Sequence, residues 1–200
     1  MKIVKLNEIS ERIVNELRKI GSNDQGKLVD LNLVDIDSRL DFSERNLIIG
    51  DSEGLRDVVD GFIDACREKG KKSSVICFGV LDFGILRKLS ENTDEILLVG
   101  GNLNREGIVF VSEHKIRRIS LNRFLEDIQE TTELIMEFAS GRELLLVFDF
   151  SILDDTGLSA RQAIYILGRM GLMKNLNAAY FCCGDASNAG IYARIIAELF

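Results

Sequence analysis

Two hundred residues, 46% hydrophobic and 28% charged, fit one ordinary globular domain, a chain of this length burying roughly 70% of its unfolded surface. The net charge is −7 with Lys and Arg scattered along the chain, which excludes the basic stripe that nucleic acid requires. No apolar run approaches the ~20 residues of a membrane span. The opening MKIVKLNEISERIV carries charges every few residues and no apolar core of signal-peptide length, so a soluble cytoplasmic protein is expected.

In chain order, Ile9, Ile13, Leu17 and Ile20 predict an amphipathic helix. Gly21–Gly26 reads as a flexible link, and the alternating Leu28–Ile36 (LVDLNLVDI) as an antiparallel or edge strand with one wet face. LIIG (Leu47–Gly50) is a short buried strand. Leu55, Val58, Val59, Phe62 and Cys66 then recur at helical spacing, closed by Gly70 and a basic KGKK end that suits the helix dipole. SSVICFGV (Ser73–Val80) predicts a strand apolar on both faces, Ile85 to Leu89 a short helix, and EILLVG (Glu95–Gly100) a buried strand ended by Gly100-Gly101. IVFVS (Ile108–Ser112) and IRRIS (Ile116–Ser120) predict shorter strands, the second alternating like an edge.

Leu121, Phe124, Leu125, Ile128, Ile135 and Phe138 mark one long helix, with Gly141 just past its end. Strand Leu144–Phe150 follows, then an acidic loop with Asp154-Asp155, a turn at Thr156-Gly157, a helix from Ser159 to Met170, a strand over Asn177–Cys183 and a C-terminal helix. Strands with continuous apolar runs that alternate with helices imply an α/β protein. Its sheet is mostly parallel and covered by helices on both faces. In such a sheet the ligand site lies where strand ends meet helix starts, which singles out Asp149 and the loop after it.

Cys66, Cys77, Cys182 and Cys183 lie in or beside apolar segments without CxxC or CxxH spacing, so buried free thiols are expected rather than a zinc site. Cys182 and Cys183 are adjacent on a strand and point to opposite faces. Proline is absent, and glycine, Asn and Asp supply the turns.

From Asn46 onward the order of segments resembles the ureohydrolase family, which includes arginase and agmatinase. Where that family has a Gly-Gly-Asp-His turn, the chain has Ile49-Gly50-Asp51-Ser52. Its Asp-x-His-x-Asp strand end is matched by Phe78-Gly79-Val80-Leu81-Asp82. Its Ser-Phe-Asp-x-Asp-x-Leu-Asp-Pro stretch is matched by Val147–Asp155, and its Gly-Leu-Thr by Gly157-Leu158-Ser159. A strand, a loop and an Ala-rich helix close the family pattern, as Asn177–Phe200 does here. The resemblance implies a three-layer arginase/deacetylase-like fold over residues 1–200 as a single domain. Residues 46–200 would be the family-like core, and 1–45 a divergent N-terminal helix and edge strand.

The resemblance also implies a pair of manganese ions held by two histidines and four aspartates, with a bridging hydroxide attacking a guanidinium carbon. Two cations at ~3.5–4 Å need several anionic ligands to offset their repulsion. Carried over, the histidines fall on Ser52 and Val80, and two of the aspartates on Phe78 and Ser151. Only Asp82 and Asp149 keep carboxylates. The single histidine of the chain, His114, sits in a turn elsewhere and reads as solvated. Asp82 and Asp149 can share a proton, cap nearby backbone N–H groups, or hold one Mg²⁺ or Mn²⁺ weakly, with Asp51 and Asp154 as possible further ligands. Asp154 and Asp155 otherwise suit the start of a helix.

No residue is assigned as catalytic. A catalytically silent arginase-fold protein is expected, with a role in binding, in assembly or of a kind the sequence does not disclose, with no cofactor, an unidentified ligand, neither nucleic acid nor membrane as partner, and self-association possible. The alternative is a metal-dependent hydrolase of C–N bonds in guanidino compounds. It would use Asp82, Asp149 and one or more of Asp51, Glu53 and Asp154 around one weakly bound Mn or Mg.

Overall fold

The computed structural model describes residues 2–5, 8–23, 32–35, 42, 45–51, 53–79, 81–101, 103–114, 116–155, 158–184 and 187–199. Its elements are β1 (Lys2–Lys5), α1 (Glu8–Asn23), β2 (Asn32–Asp35), β3 (Asn46–Gly50), α2 (Gly54–Glu68), β4 (Ser73–Phe78), α3 (Phe83–Asn92), β5 (Glu95–Val99) and α4 (Arg105–Glu113). They continue as β6 (Arg117–Ile119), α5 (Leu121–Glu126), α6 (Ile128–Phe138), β7 (Glu143–Asp149), α7 (Ser151–Asp155), α8 (Ala160–Gly171), β8 (Leu176–Cys182) and α9 (Ala189–Ala197).

The eight strands form one sheet in the order β2-β1-β3-β8-β7-β4-β5-β6. Every neighbouring pair is parallel. β3 and β4 are buried at every position because helices cover both faces. One face packs Leu47, Ile49, Ile76, Phe78, Leu146 and Phe148 against α1 and α5 to α9. The other packs Ile48, Val75, Cys77, Val147 and Tyr180 against α2, α3 and α4. The chain thus has the three-layer α/β architecture expected of it, with a sheet that is wholly parallel among the described residues.

Five expectations are corrected. Ile108–Ser112 is not a strand but part of α4. A parallel β5–β6 connection must return to the starting edge by a crossover. Asn104 starts the helix that does so, its side chain accepting from the Gly107 N–H at 2.8 Å. Gly107 and Val111, one turn apart, are buried, whereas Ile108 and Val109 are half exposed. The long helix over Leu121–Phe138 is two helices. Asp127 leaves helical geometry at φ −143° and caps α6 by accepting from the Glu130 N–H at 2.9 Å. The acidic loop after Asp149 begins as the short helix α7. Asn32–Asp35 of the alternating N-terminal segment is an edge strand, but parallel to its neighbour β1, a strand the sequence pattern did not reveal. Finally, the expected link over Gly21–Gly26 begins inside α1, whose last three residues are Gly21, Ser22 and Asn23; its remainder and the rest of Leu28–Ile36 lie outside the described residues.

Arg45 ties the helix ends beneath the sheet together. Its guanidinium donates to the carbonyls of Gly171 at 3.0 Å, Met173 at 2.7 Å and Leu199 at 3.2 Å. Gly171 closes α8, and Met173 and Leu199 lie just past the ends of α8 and α9, where a cation suits the helix dipole.

Candidate functional site

Parallel pairing sets the carboxyl ends of β3, β8, β7 and β4 side by side. Gly50, Cys182 and Asp149 are level across β3, β8 and β7, and Phe148 is level with Phe78 on β4. Asp51 therefore stands just beyond β3, Asp149 on the tip of β7 and Asp82 past β4. Gly50 and Asp149 are two strand spacings apart, roughly 10 Å. Asp154 is in α7, and its side chain lies outside the described residues.

Each of the three described aspartates uses Oδ1 to start the segment that follows it. Asp51 accepts from the N–H groups of Glu53 and Gly54, both at 3.1 Å, at the head of α2. Asp82 is the N-cap of α3 and accepts from Gly84 at 2.8 Å and Ile85 at 3.3 Å. Asp149 accepts from the Ser151 N–H at 2.9 Å as α7 begins. These bonds satisfy donors that a helix start leaves without an intrahelical partner.

Beneath the carboxylates on one face lies a layer of rings. Phe78 contacts Phe148 at 5.5 Å and Phe124 at 6.1 Å between centroids. Phe150 lies 5.3 Å from Phe148 and stacks on Tyr192 at 4.0 Å. Phe78, Phe124, Phe148 and Phe150 are fully buried. On the other face Tyr180 sends its hydroxyl to the Asp51 carbonyl as a hydrogen-bond donor. Burial, then the nearby Cys182 and Asp51, push that hydroxyl's pKa up. Neither contact was foreseen, although the period-two pattern of NAAYFCC already puts Tyr180 and Cys182 on one face.

Cys182 stands half buried between two acidic strand tips. Burial first, then the charges of Asp149 and Asp51, push its thiol up to about 12. Cys77 and Cys183 are shifted upward for the same leading reason. All four cysteines are free thiols, and Cys182 and Cys183 face opposite layers, as expected. These thiols stay protonated at neutral pH and are poor nucleophiles. A cleft of about 440 Å³ opens beside the carboxylates, between the heads of α2 and α3, lined by Glu53, Arg56, Asp57, Asp82 and Ile85.

The donors present do not fit a two-ion centre. Ser52 and Val80, which stand where the resemblance puts histidines, lie outside the described residues. Phe78, which stands for an aspartate, is a core ring with no lone pair to offer. His114 ends α4 at the opposite edge of the sheet, stacked on Phe110 at 3.9 Å and sharing a cleft with Glu95, the first residue of β5. Among the described residues no three His, Cys, Asp or Glu side chains gather in a way that could hold a metal ion.

No family profile matches the sequence, and no curated protein matches it. Solved structures do. Arginase from Entamoeba histolytica, solved with L-ornithine, is 13% identical with a TM-score of 0.71, the match covering 99% of this chain and 98% of that one. Formimidoylglutamase from Bacillus subtilis is 12% identical at a TM-score of 0.71, covering 99% and 84%. Helicobacter pylori arginase is 13% identical at 0.70, covering 100% and 98%. At such identities the likeness establishes the fold: the described residues have the arginase-like α/β fold. No helix among the described residues is long and apolar enough to cross a membrane.

Proposed function

We propose that the chain is a catalytically silent protein on the arginase-like fold, acting by binding or assembly, without a resident metal. One observation carries this reading. Phe78 occupies a place where the ureohydrolase resemblance calls for an aspartate, and it is fully buried between Phe148 and Phe124. A ligand position converted into core packing cannot be recovered by a rotamer change. The aspartates that remain support it as well, because each has an oxygen already engaged by backbone N–H groups. Free, largely buried thiols suit a reducing compartment such as the cytoplasm, and self-association belongs to the same proposal.

Metal content and ligand-induced stabilisation test it. A ligand that binds only the native state must raise its melting temperature. The expected results are a metal-free protein after dialysis, a melting temperature unmoved by Mn²⁺, and no urea released from arginine or agmatine. Stoichiometric manganese that survives dialysis and is lost in Asp149→Ala would overturn the reading in favour of a C–N hydrolase built on Asp51, Asp82 and Asp149.

A further inference from the structure

At the end of the sheet away from the aspartates, the first residues of β5 and β6 and the last turn of α6 enclose an open groove of about 580 Å³. Its floor is apolar: Leu97, Ile119 and Phe138 are buried, and Leu134 is 38% exposed at its side. Its rim carries Arg117, Arg142, Glu95 and Glu137, while Arg118, which also borders it, commits its guanidinium to the Gly101 carbonyl at 3.3 Å. Two of these close on each other. Arg142 Nη2 donates to Glu95 Oε1 at 2.8 Å, while Nη1 donates to the Phe138 carbonyl at 3.0 Å. One cation and one anion are left less committed. Arg117 approaches Glu95 Oε2 only at 3.8 Å and stands over the Phe138 ring, 5.4 Å from its centroid, with 64% of its side chain exposed. Glu137 is exposed and forms no ion pair among the described residues.

We propose that this groove binds a small zwitterion with an apolar side chain, an α-amino acid of the leucine or phenylalanine kind. Its carboxylate pairs with Arg117, its ammonium with Glu137, and its side chain covers Leu97, Leu134 and Phe138. Charge balance selects this ligand class. A simple anion would meet Glu95 and Glu137 with nothing to offer them, and a simple cation would meet Arg117 and Arg142 in the same way. The volume lies within the 300–1,000 Å³ or so typical of small-molecule sites. The proposal is independent of the silent reading of the aspartate edge.

Calorimetry and thermal melting of the full chain test it, with L-phenylalanine, 3-phenylpropionate and phenethylamine as probes. L-phenylalanine should bind saturably, one per chain, and each singly charged analogue at least about tenfold more weakly. Arg117→Ala and Glu137→Gln, both at exposed positions that leave the fold intact, should each weaken L-phenylalanine by about tenfold or more. Leu134→Asp should do the same through the floor, and Arg161→Ala on α8 should change nothing. No binding of L-phenylalanine at millimolar concentration would overturn the proposal. So would equal binding of 3-phenylpropionate or phenethylamine, or an Arg117→Ala variant that binds as the parent does.

Discussion

Gly79 and Asp149 meet so closely across the tips of β4 and β7 that a Cβ built on the glycine would stand 2.7 Å from the Cβ of the aspartate. The glycine also sits at φ +111°, where side-chain-bearing residues are strained. The closeness follows from register, since Phe78 and Phe148 are paired and the next residues on both strands turn over the same edge. Gly79→Ala should therefore cost about 2–4 kcal/mol in denaturant unfolding, from strain and overpacking together. Pairing it with Asp149→Gly should return the steric part and leave the backbone part, so the double variant should be more stable than the sum predicts. Simple additivity would show that Asp149 is not what Gly79 faces.

Phe78 offers the sharpest contrast between packing and liganding. Phe78→Asp puts the carboxylate implied by the ureohydrolase resemblance into a site with no exposure, between rings. A buried unpaired charge plus the lost ring should cost more than about 4 kcal/mol, leaving a chain that is unfolded or molten at ambient temperature. Phe78→Leu, apolar and smaller, should lose only about 1–2 kcal/mol. A folded Phe78→Asp protein that gains Mn²⁺ affinity would show that the site had merely lost a ligand.

What the sequence discloses here follows from where the signal is strong. β3, β4, β5, β7 and β8 are legible because both their faces are covered, leaving continuous apolar runs such as Leu144–Phe148. Asp51, Asp82 and Asp149 are legible as candidates because they end those runs. α4 is misleading because Ile108, Val109 and Val111 are β-branched, while the feature that decides its conformation is the topological need to return between two parallel strands. β1 is hidden because four residues with a lysine at each end carry no periodicity of their own. The groove beside α6 is invisible to motif reading. Glu95, Arg117 and Arg142 are far apart in the chain, and only the β5–β6 register and the turn after α6 bring them together.

Asp82 separates capping from metal binding by a conservative change. Asp82→Ala removes the acceptor for Gly84 and Ile85 and should destabilise the chain by about 0.5–2 kcal/mol. Asp82→Asn keeps an oxygen in the Oδ1 position and should retain most of that stability. Were Asp82 chiefly a ligand, both variants would lower the midpoint only in the presence of Mn²⁺. Parallel unfolding curves with and without the ion distinguish the two.

Desolvation of the thiols should weaken the fold at alkaline pH. Burial raises Cys66 to about 11 and Cys182 to about 12, from an ordinary value of 9.0. Between those values the native state keeps a proton that the unfolded chain releases, so native protons exceed unfolded ones and stability falls with rising pH. The contribution is complete below about pH 9, where the thiol is neutral in both states, and drains as pH climbs toward 11 and 12. Unfolding midpoints measured from pH 7 to 10.5 should be flat up to about 9 and decline above it. The decisive comparison is with Cys66→Ser and Cys182→Ser. Each should start less stable at pH 7 from altered packing, yet fall less steeply above pH 9. Slopes equal to that of the parent would mean that neither thiol is as deeply desolvated as its place between strand and helix requires.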